Sequence, residues 1–246
     1  MKLCNRAHCF AVQEDTFKEH CHVIIAADNE NQLFHSARFL RQLLCVEFGA
    51  EQFPDLIVKD HALVQQLAAI CGGSLPPSER SLDIQQEVAW AITNLVGGSS
   101  RVCAAAVELG VLQALVQALG SSPSSKLAGQ CIWALGNIAG DGPALRQRCL
   151  GAGALPLILR WLPHHSAQAG ELSDADFRTA VWAMGGLLRD FSAGSTEQVP
   201  ALMTCFARVL MDACGQGGGE AWARWGARGD ADTAQDATWV LSRLTE

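Results

Sequence analysis

Apolar residues recur at helical spacing along most of the chain, and turn-forming residues divide them into short helices. Between residues 99 and 139 the pattern predicts three helices, over residues 99 to 109, 111 to 119 and 126 to 139, with glycine and the segment SSPSS between them. A further apolar pattern of the same period covers residues 30 to 47. These positions predict an all-α chain.

The predicted helices belong to a unit that repeats along the sequence. The segment EVAWAITNLVGG around Trp90 recurs as QCIWALGNIAGD around Trp133, 43 residues later. The turn at Gly110 recurs at Gly153 with the same offset, and each turn opens an apolar helix. Self-similarity at a fixed period of this length is typical of stacked repeats.

Two further copies of the third helix of the unit, which carries the tryptophan, follow at longer spacing. Trp182 lies in TAVWAMGGLLRD, and Trp239 lies in DATWVLSRLTE. We expect the extra length to form loops at residues 163 to 174 and 215 to 232, where turn-forming residues are frequent. Three helices in about 43 residues is the plan of armadillo repeats, which bury their apolar faces only by stacking on their neighbours.

The third helices carry a recurring pair of side chains. Trp90 and Asn94, and again Trp133 and Asn137, lie four positions apart, so each pair shares one helix face. In stacked repeats these faces line a concave surface. Indole rings attract cations, and asparagine amides bind a peptide backbone, so the pattern predicts a site for an extended basic peptide. Helical tryptophans are more often core residues, and Trp161, in the apolar segment ALPLILRWL, is predicted to be one.

The blocks AWAITNLVGGSS, IWALGNIAGDG, TAVWAMGGLLRD and TWVLSRLTE resemble the third helices of repeats two to five of the importin alpha family. The similarity covers residues 30 to 246. The resemblance implies an armadillo-repeat right-handed superhelical solenoid, with a partial first repeat plus about four repeats in residues 29 to 246. It also implies an adaptor, in cytoplasm and nucleus, that binds lysine-rich nuclear localisation signals for nuclear protein import.

The same resemblance assigns the residues of the peptide site. It implies that Asp141 and the carbonyl of Gly98 receive a key lysine of the peptide. The full implied set is Trp90, Asn94, Gly98, Gln130, Trp133, Asn137, Asp141, Trp182 and Trp239. Asp141 also precedes Gly142 and Pro143, so an alternative role is to cap the following helix.

Several positions depart from the family pattern. Gly186 stands where the family has its third asparagine, and Arg243 stands where the fourth pair has an uncharged residue. The family's importin-beta-binding segment is strongly basic, whereas the cations of residues 1 to 28 are only Lys2, Arg6 and Lys18. We therefore expect no direct contact with importin beta. The alternative function is a generic armadillo scaffold whose groove is retuned for a non-basic partner.

Composition narrows the choice of partner further. Only 17% of residues are charged and the net charge is −7, which argues against nucleic acid because phosphate binding needs clustered lysine and arginine. The ten cysteines lie mostly among apolar residues, as expected for reduced thiols in a core. No apolar run has membrane-spanning length, and no catalytic, phosphate-binding or standard zinc spacing occurs. We therefore expect no enzyme activity, no cofactor, no metal and no membrane partner.

Overall fold

The structure is a computed structural model that describes residues 6–45, 53–121, 124–166, 174–189 and 242. Within these ranges the chain forms helices and no strand. In chain order they are α1 Arg6–Ala26, α2 Glu30–Leu43, α3 Phe53–Lys59, α4 His61–Cys71, α5 Glu79–Val96, α6 Ser100–Glu108, α7 Val111–Ser121, α8 Ser125–Gly140, α9 Pro143–Gly151, α10 Ala154–Ser166 and α11 Asp174–Leu187. The all-α prediction is therefore confirmed over the described residues.

The chain divides into two compact units, Met1–Ala118 (unit 1) and Leu119–Glu246 (unit 2). In unit 1, the long helix α5 packs against α2, α4 and α6. It begins at a capping box in which Ser78 and Ser81 bond each other's backbone amides. Its apolar residues at helical spacing, such as Ile84, Val88 and Ile92, are fully buried. In unit 2, α8 takes the same central role and packs against α9, α10 and α11.

The first helix, α1, packs against α2 and α4 of unit 1. Phe17 and Ile24 are buried on its inner face. The ring of Phe17 lies 5.1 Å from the ring of Phe53, on α3, measured between centroids. The amino-terminal segment is therefore part of the hydrophobic core of unit 1.

A histidine supports the contact between α1 and α2. The ring of His20 stacks on Phe39 with centroids 4.1 Å apart, and its Nδ1 atom is hydrogen-bonded to Oγ of Ser36 at 2.9 Å. Burial lowers the pKa of His20, and the nearby carboxylate of Glu19 opposes that shift. The packed position thus favours the neutral ring.

The glycine turn that recurs in the sequence has the same backbone conformation in both copies. Gly110, before α7, has φ of 97°, and Gly153, before α10, has φ of 82°. A left-handed backbone of this kind suits glycine because any Cβ would be strained there. The two glycines let a first helix turn directly into a second helix in both repeats.

The three helices predicted between residues 99 and 139 correspond to α6, α7 and α8, so these predictions are confirmed. The helix predicted over residues 30 to 47 is shorter, because α2 ends at Leu43. The predicted start of the loop at residue 163 is wrong, because α10 continues through Pro163 to Ser166. Packing of the buried residues Ile158 and Trp161 stabilises this helix and outweighs the local break that proline favours. The loop predicted at residues 215 to 232 lies outside the described residues.

The cysteine prediction is confirmed where side chains are described. None of the six cysteines with described side chains forms a disulfide: Cys21, Cys71, Cys103, Cys131 and Cys149 are buried in the core, and Cys45 is exposed at the surface. Among the described helices, none alone has the length and apolar composition to cross a membrane, although α6 and α7 meet both tests when combined across a 71° bend.

Candidate functional site

Three tryptophans stand out on the surface. Trp90 on α5, Trp133 on α8 and Trp182 on α11 are 40%, 43% and 41% exposed. They are the exposed large hydrophobic residues of the described chain, whereas Trp161 is buried as predicted. Large indoles left in water at one position of three related helices indicate a binding surface rather than a core.

On α8 the accessible stripe is narrow. Trp133 is exposed and Asn137 is half-buried one turn later, whereas residues 134 to 136 and 138 to 139 are all buried. Gln130, three positions before the tryptophan, is also half-buried. The helix therefore presents the tryptophan and asparagine together along one edge, as their spacing predicts.

In unit 1 the Trp90 pair contacts a neighbouring arginine. The guanidinium of Arg41, on α2, lies over the Trp90 ring with 4.2 Å between its central carbon and the ring centroid. Nε of Arg41 donates to the Glu87 carboxylate at 2.5 Å. The amide of Asn94 donates to the backbone carbonyl of Arg41 at 3.2 Å. One residue of α2 thus engages both members of the pair on α5.

In unit 2 a glycine takes the place of that arginine. A Cβ at Gly136 would lie 2.4 Å from Cζ3 of the Trp182 ring and 3.0 Å from Cβ of Ala183. Real Cβ atoms do not approach other atoms so closely, so only glycine allows the indole to rest on α8 in this position. The backbone of α8 therefore forms part of the seat of Trp182.

The two arrangements correspond in register. The carbonyl of Arg41 accepts from Asn94, four residues after Trp90. A Cβ at Gly186, four residues after Trp182, would lie 3.7 Å from the carbonyl oxygen of Gly136. Arg41 and Gly136 therefore occupy matching positions relative to the following tryptophan helix.

The carbonyl of Gly186 is fixed from another side. Nε of Arg146, a buried residue of α9, donates to this oxygen at 2.9 Å. Burial lowers the pKa of Arg146, and the positive charge of Arg189 lowers it further. This bond ties α11 to α9 beside the Trp182 surface.

The close approach of Trp182 to Gly136 predicts a stability difference between two glycine substitutions in α8. Gly136→Ala should displace the indole and cost about 1 to 3 kcal/mol relative to Gly140→Ala, because overpacking a filled contact costs about that much. A Cβ at Gly140 meets nothing within 4 Å, so both variants gain the helix propensity of alanine but only one clashes. Urea unfolding of both variants measures the difference, and equal stability would contradict the contact.

Comparison with known proteins agrees with this geometry. Residues 99–140, which contain α6, α7 and α8, match the family model of the armadillo/beta-catenin-like repeat. The chain is 32% identical over 163 residues to importin subunit alpha-1b of Oryza sativa subsp. japonica, which covers 66% of this chain and 26% of that protein. It is 29% identical over 209 residues to importin subunit alpha-9 of Arabidopsis thaliana, which covers 85% of this chain and 34% of that protein.

The chain is a divergent, importin-alpha-like armadillo-repeat protein. The match spans about a quarter to a third of the length of these plant relatives. The crystal structure of an engineered protein shares the fold, with a TM-score of 0.60 and 17% identity over 94% of this chain and 96% of that one.

The two residues of the predicted lysine pocket of this importin-alpha-like chain, Asp141 and Gly98, lie on different elements, and the pocket stays a prediction. Asp141 is the half-buried C-cap residue of α8, eight positions after Trp133 and four after Asn137, and so lies on the same side of the helix. The N-cap position of α9 is Gly142, one residue after Asp141, so the role of Asp141 as a cap of that helix stays a prediction. Gly98 is exposed in the turn after α5. Trp239 and Arg243 lie outside the described residues.

Sequence reasoning missed the contact between Arg41 and Trp90 in the importin-alpha-like surface. The two residues are far apart in the chain, and Arg41 lies outside the Trp-x-x-x-Asn pattern. No local signal pairs Arg41 with Trp90, because α2 carries no tryptophan of the repeating pattern that would set its register against α5.

Proposed function

We propose that this chain is an adaptor that binds lysine-rich nuclear localisation signals of cargo proteins for nuclear protein import, in cytoplasm and nucleus. The observation that carries the proposal is the exposure of Trp90, Trp133 and Trp182 at one register of three repeat helices. The relatedness to importin subunits alpha supports the transport role. The role proposed is binding rather than catalysis.

The chemistry of the α8 surface suits a lysine side chain. An exposed indole attracts an ammonium group and packs against its methylene stem, and a cation–π contact stabilises by about 0.5 to 2 kcal/mol. Asn137 offers an amide to the peptide backbone one turn later. Asp141 adds a carboxylate after another turn. A charge-assisted hydrogen bond from a lysine ammonium group to this carboxylate selects lysine over uncharged side chains. The net charge of the whole chain, −7, also favours a basic ligand.

Titration of the purified chain with a fluorescently labelled lysine-rich peptide tests the proposal, with a charge-neutral peptide of equal length as the control. We expect binding of the basic peptide that weakens as salt rises, because part of the attraction is electrostatic. Equal affinity for the neutral peptide, or no binding of either, would reject the function.

Importin beta and nucleic acid are not partners in this proposal. The segment 1 to 28 has three cations, and α1 uses one face of that segment to pack on unit 1. Neither feature supplies a dense basic run for importin beta. The negative net charge disfavours binding of nucleic acid, because it repels the phosphate groups.

A generic armadillo scaffold is the second candidate, and one observation favours it. The guanidinium of Arg41 lies over the Trp90 ring, so a cation of the chain itself already contacts this indole, although the side chain is 40% exposed. A surface retuned for a non-basic partner fits this arrangement. Preference for the neutral peptide in the titration would favour the scaffold.

Restoring the missing asparagine at position 186 should strengthen binding of the lysine-rich peptide. A side chain fits there, because a Cβ would make only ordinary contacts of 3.7 to 4.0 Å with α8. The new amide would lie near the Gly136 carbonyl, as that of Asn94 lies near the Arg41 carbonyl. We expect Gly186→Asn to raise affinity about threefold to tenfold, the effect of one hydrogen bond to the peptide backbone.

The control for this variant is Gly151→Asn, at the end of α9, where a Cβ meets nothing within 4 Å and a side chain therefore fits as well. It makes the same substitution on a helix without an exposed tryptophan, so peptide affinity should stay unchanged. Unchanged affinity in Gly186→Asn itself would remove α11 from the peptide site.

A further inference from the structure

The Trp90 surface contains a complete set of contacts for a cation, and a residue of the chain itself makes them. The ring face contacts the Arg41 guanidinium, and the Glu87 carboxylate accepts a hydrogen bond from Nε of Arg41. The side chains of Arg41 and Glu87 are 16% and 17% exposed, so the pair is largely shielded from water. Shielding strengthens such a pair compared with ion pairs on an open surface.

This contact is held by the helix pair beneath it. Ser78 at the start of α5 bonds Glu30 at the start of α2, and Arg80 lies over Phe34 one turn later. Arg41 meets Glu87 and Asn94 towards the far end. The contacts advance along both helices in the same direction, so α2 and α5 run parallel and keep Arg41 beside Trp90.

We propose that Arg41 is a built-in competitor for the Trp90 surface: its guanidinium occupies the ring and the Glu87 carboxylate that a lysine or arginine of a bound peptide would otherwise use. The inference rests on the proposed peptide binding and adds a residue that sets which repeat accepts the cation. A peptide cation reaches the covered ring face only by displacing Arg41 from Glu87.

Unit 2 lacks this competitor. The matching position on α8 is Gly136, which has no side chain to place on the Trp182 ring. The Trp90 and Trp182 surfaces therefore differ in readiness for a basic peptide: the Trp90 ring contacts a cation from its own chain, and the Trp182 ring has no such arginine at the matching position on α8. Arg41 thus determines where along the chain the most strongly bound lysine lies.

Removing the competitor should create a lysine site from the two groups that it vacates. In Arg41→Ala the indole and the Glu87 carboxylate are both available to a peptide lysine. We expect the peptide concentration that half-saturates Trp90 to fall roughly threefold to thirtyfold, the range that a cation–π contact covers. The double variant Arg41→Ala with Glu87→Gln should lose most of this gain, because the ligand then has the ring without the carboxylate.

The experiment is a titration of the full chain with an oligolysine peptide, followed by the NMR signals of the tryptophan indole N–H groups. Single Trp→Phe variants assign the signals of Trp90 and Trp133, so each unit reports separately. The matched control is Arg38→Ala, which removes the same charge from an exposed position of the same helix. Arg41→Gln, which keeps a long polar side chain, should shift Trp90 in the same direction and serves if Arg41→Ala folds poorly by thermal melting.

A lower half-saturation concentration at Trp90 alone, with Trp133 unchanged and no gain in Arg38→Ala, supports the competitor. An unchanged Trp90 titration in both Arg41 variants overturns it while Trp133 still reports peptide binding, so the proposed function stands. An equal gain in Arg38→Ala also overturns it, because net charge then explains the effect. No response of any tryptophan in any protein rejects the proposed function and this inference together.

Discussion

Replacing Asp141 by lysine should lower the affinity for a lysine-rich peptide by roughly tenfold to a hundredfold or more. A hydrogen bond to a charged group contributes about 1.5 to 3 kcal/mol, and the substitution adds repulsion between like charges. Asp141 follows Trp133 and Asn137 along one side of α8, so the new ammonium group would lie beside the proposed lysine position. Fluorescence anisotropy of the labelled peptide measures the change.

The control for this charge reversal is Glu108→Lys, at the end of α6. Glu108 is exposed and its helix carries no exposed tryptophan, so the variant changes net charge equally without altering the α8 surface. We expect only a small loss of affinity in this control. Equal losses in the two variants would show that Asp141 acts through overall charge and makes no contact with the peptide.

Phe17→Ala should destabilise unit 1 by about 3 to 5 kcal/mol, because truncating a buried phenylalanine loses apolar burial and leaves a cavity. Phe17 is 6% exposed and its ring packs against Phe53, which is itself fully buried. A loss of this size is a large fraction of the stability of a typical domain. Urea unfolding followed by circular dichroism measures it.

Glu19→Ala provides the comparison for Phe17→Ala. Glu19 is exposed on the same helix, and alanine favours helix slightly more than glutamate does. Its stability should stay within about 0.5 kcal/mol of the parent chain, as for other surface substitutions. A similar stability of the two variants would mean that α1 is not packed on unit 1 in solution.

The repeat helices could be predicted from the sequence because local and long-range signals agree there. Ser99 and Ser124 cap α6 and α8, glycine opens α7, and the apolar spacing of each helix matches its buried face. The tryptophan and asparagine pairs follow from the same helical spacing. Helical spacing alone therefore puts the two side chains of each pair on one face of their helix.

The features that the sequence did not reveal depend on contacts between distant residues. The local sequence of α10 does not show that the helix continues past Pro163, because tertiary packing decides where this helix ends. Nothing local in α2 shows that Arg41 lies on Trp90, since parallel packing of α2 and α5 creates that contact. The seat of Trp182 on Gly136 is likewise a tertiary fit and leaves no periodic pattern.

That seat limits how the repeats of this chain can be rearranged. Repeat proteins diversify by duplicating and exchanging whole units, because each unit contacts mainly its neighbours. The Trp182 indole lies where any side chain at position 136 would project. A helix with arginine at the matching position, as α2 has, does not fit before α11 unless the indole moves. The third helices therefore cannot be exchanged freely. Any helix that replaces α8 in front of α11 needs glycine at this position.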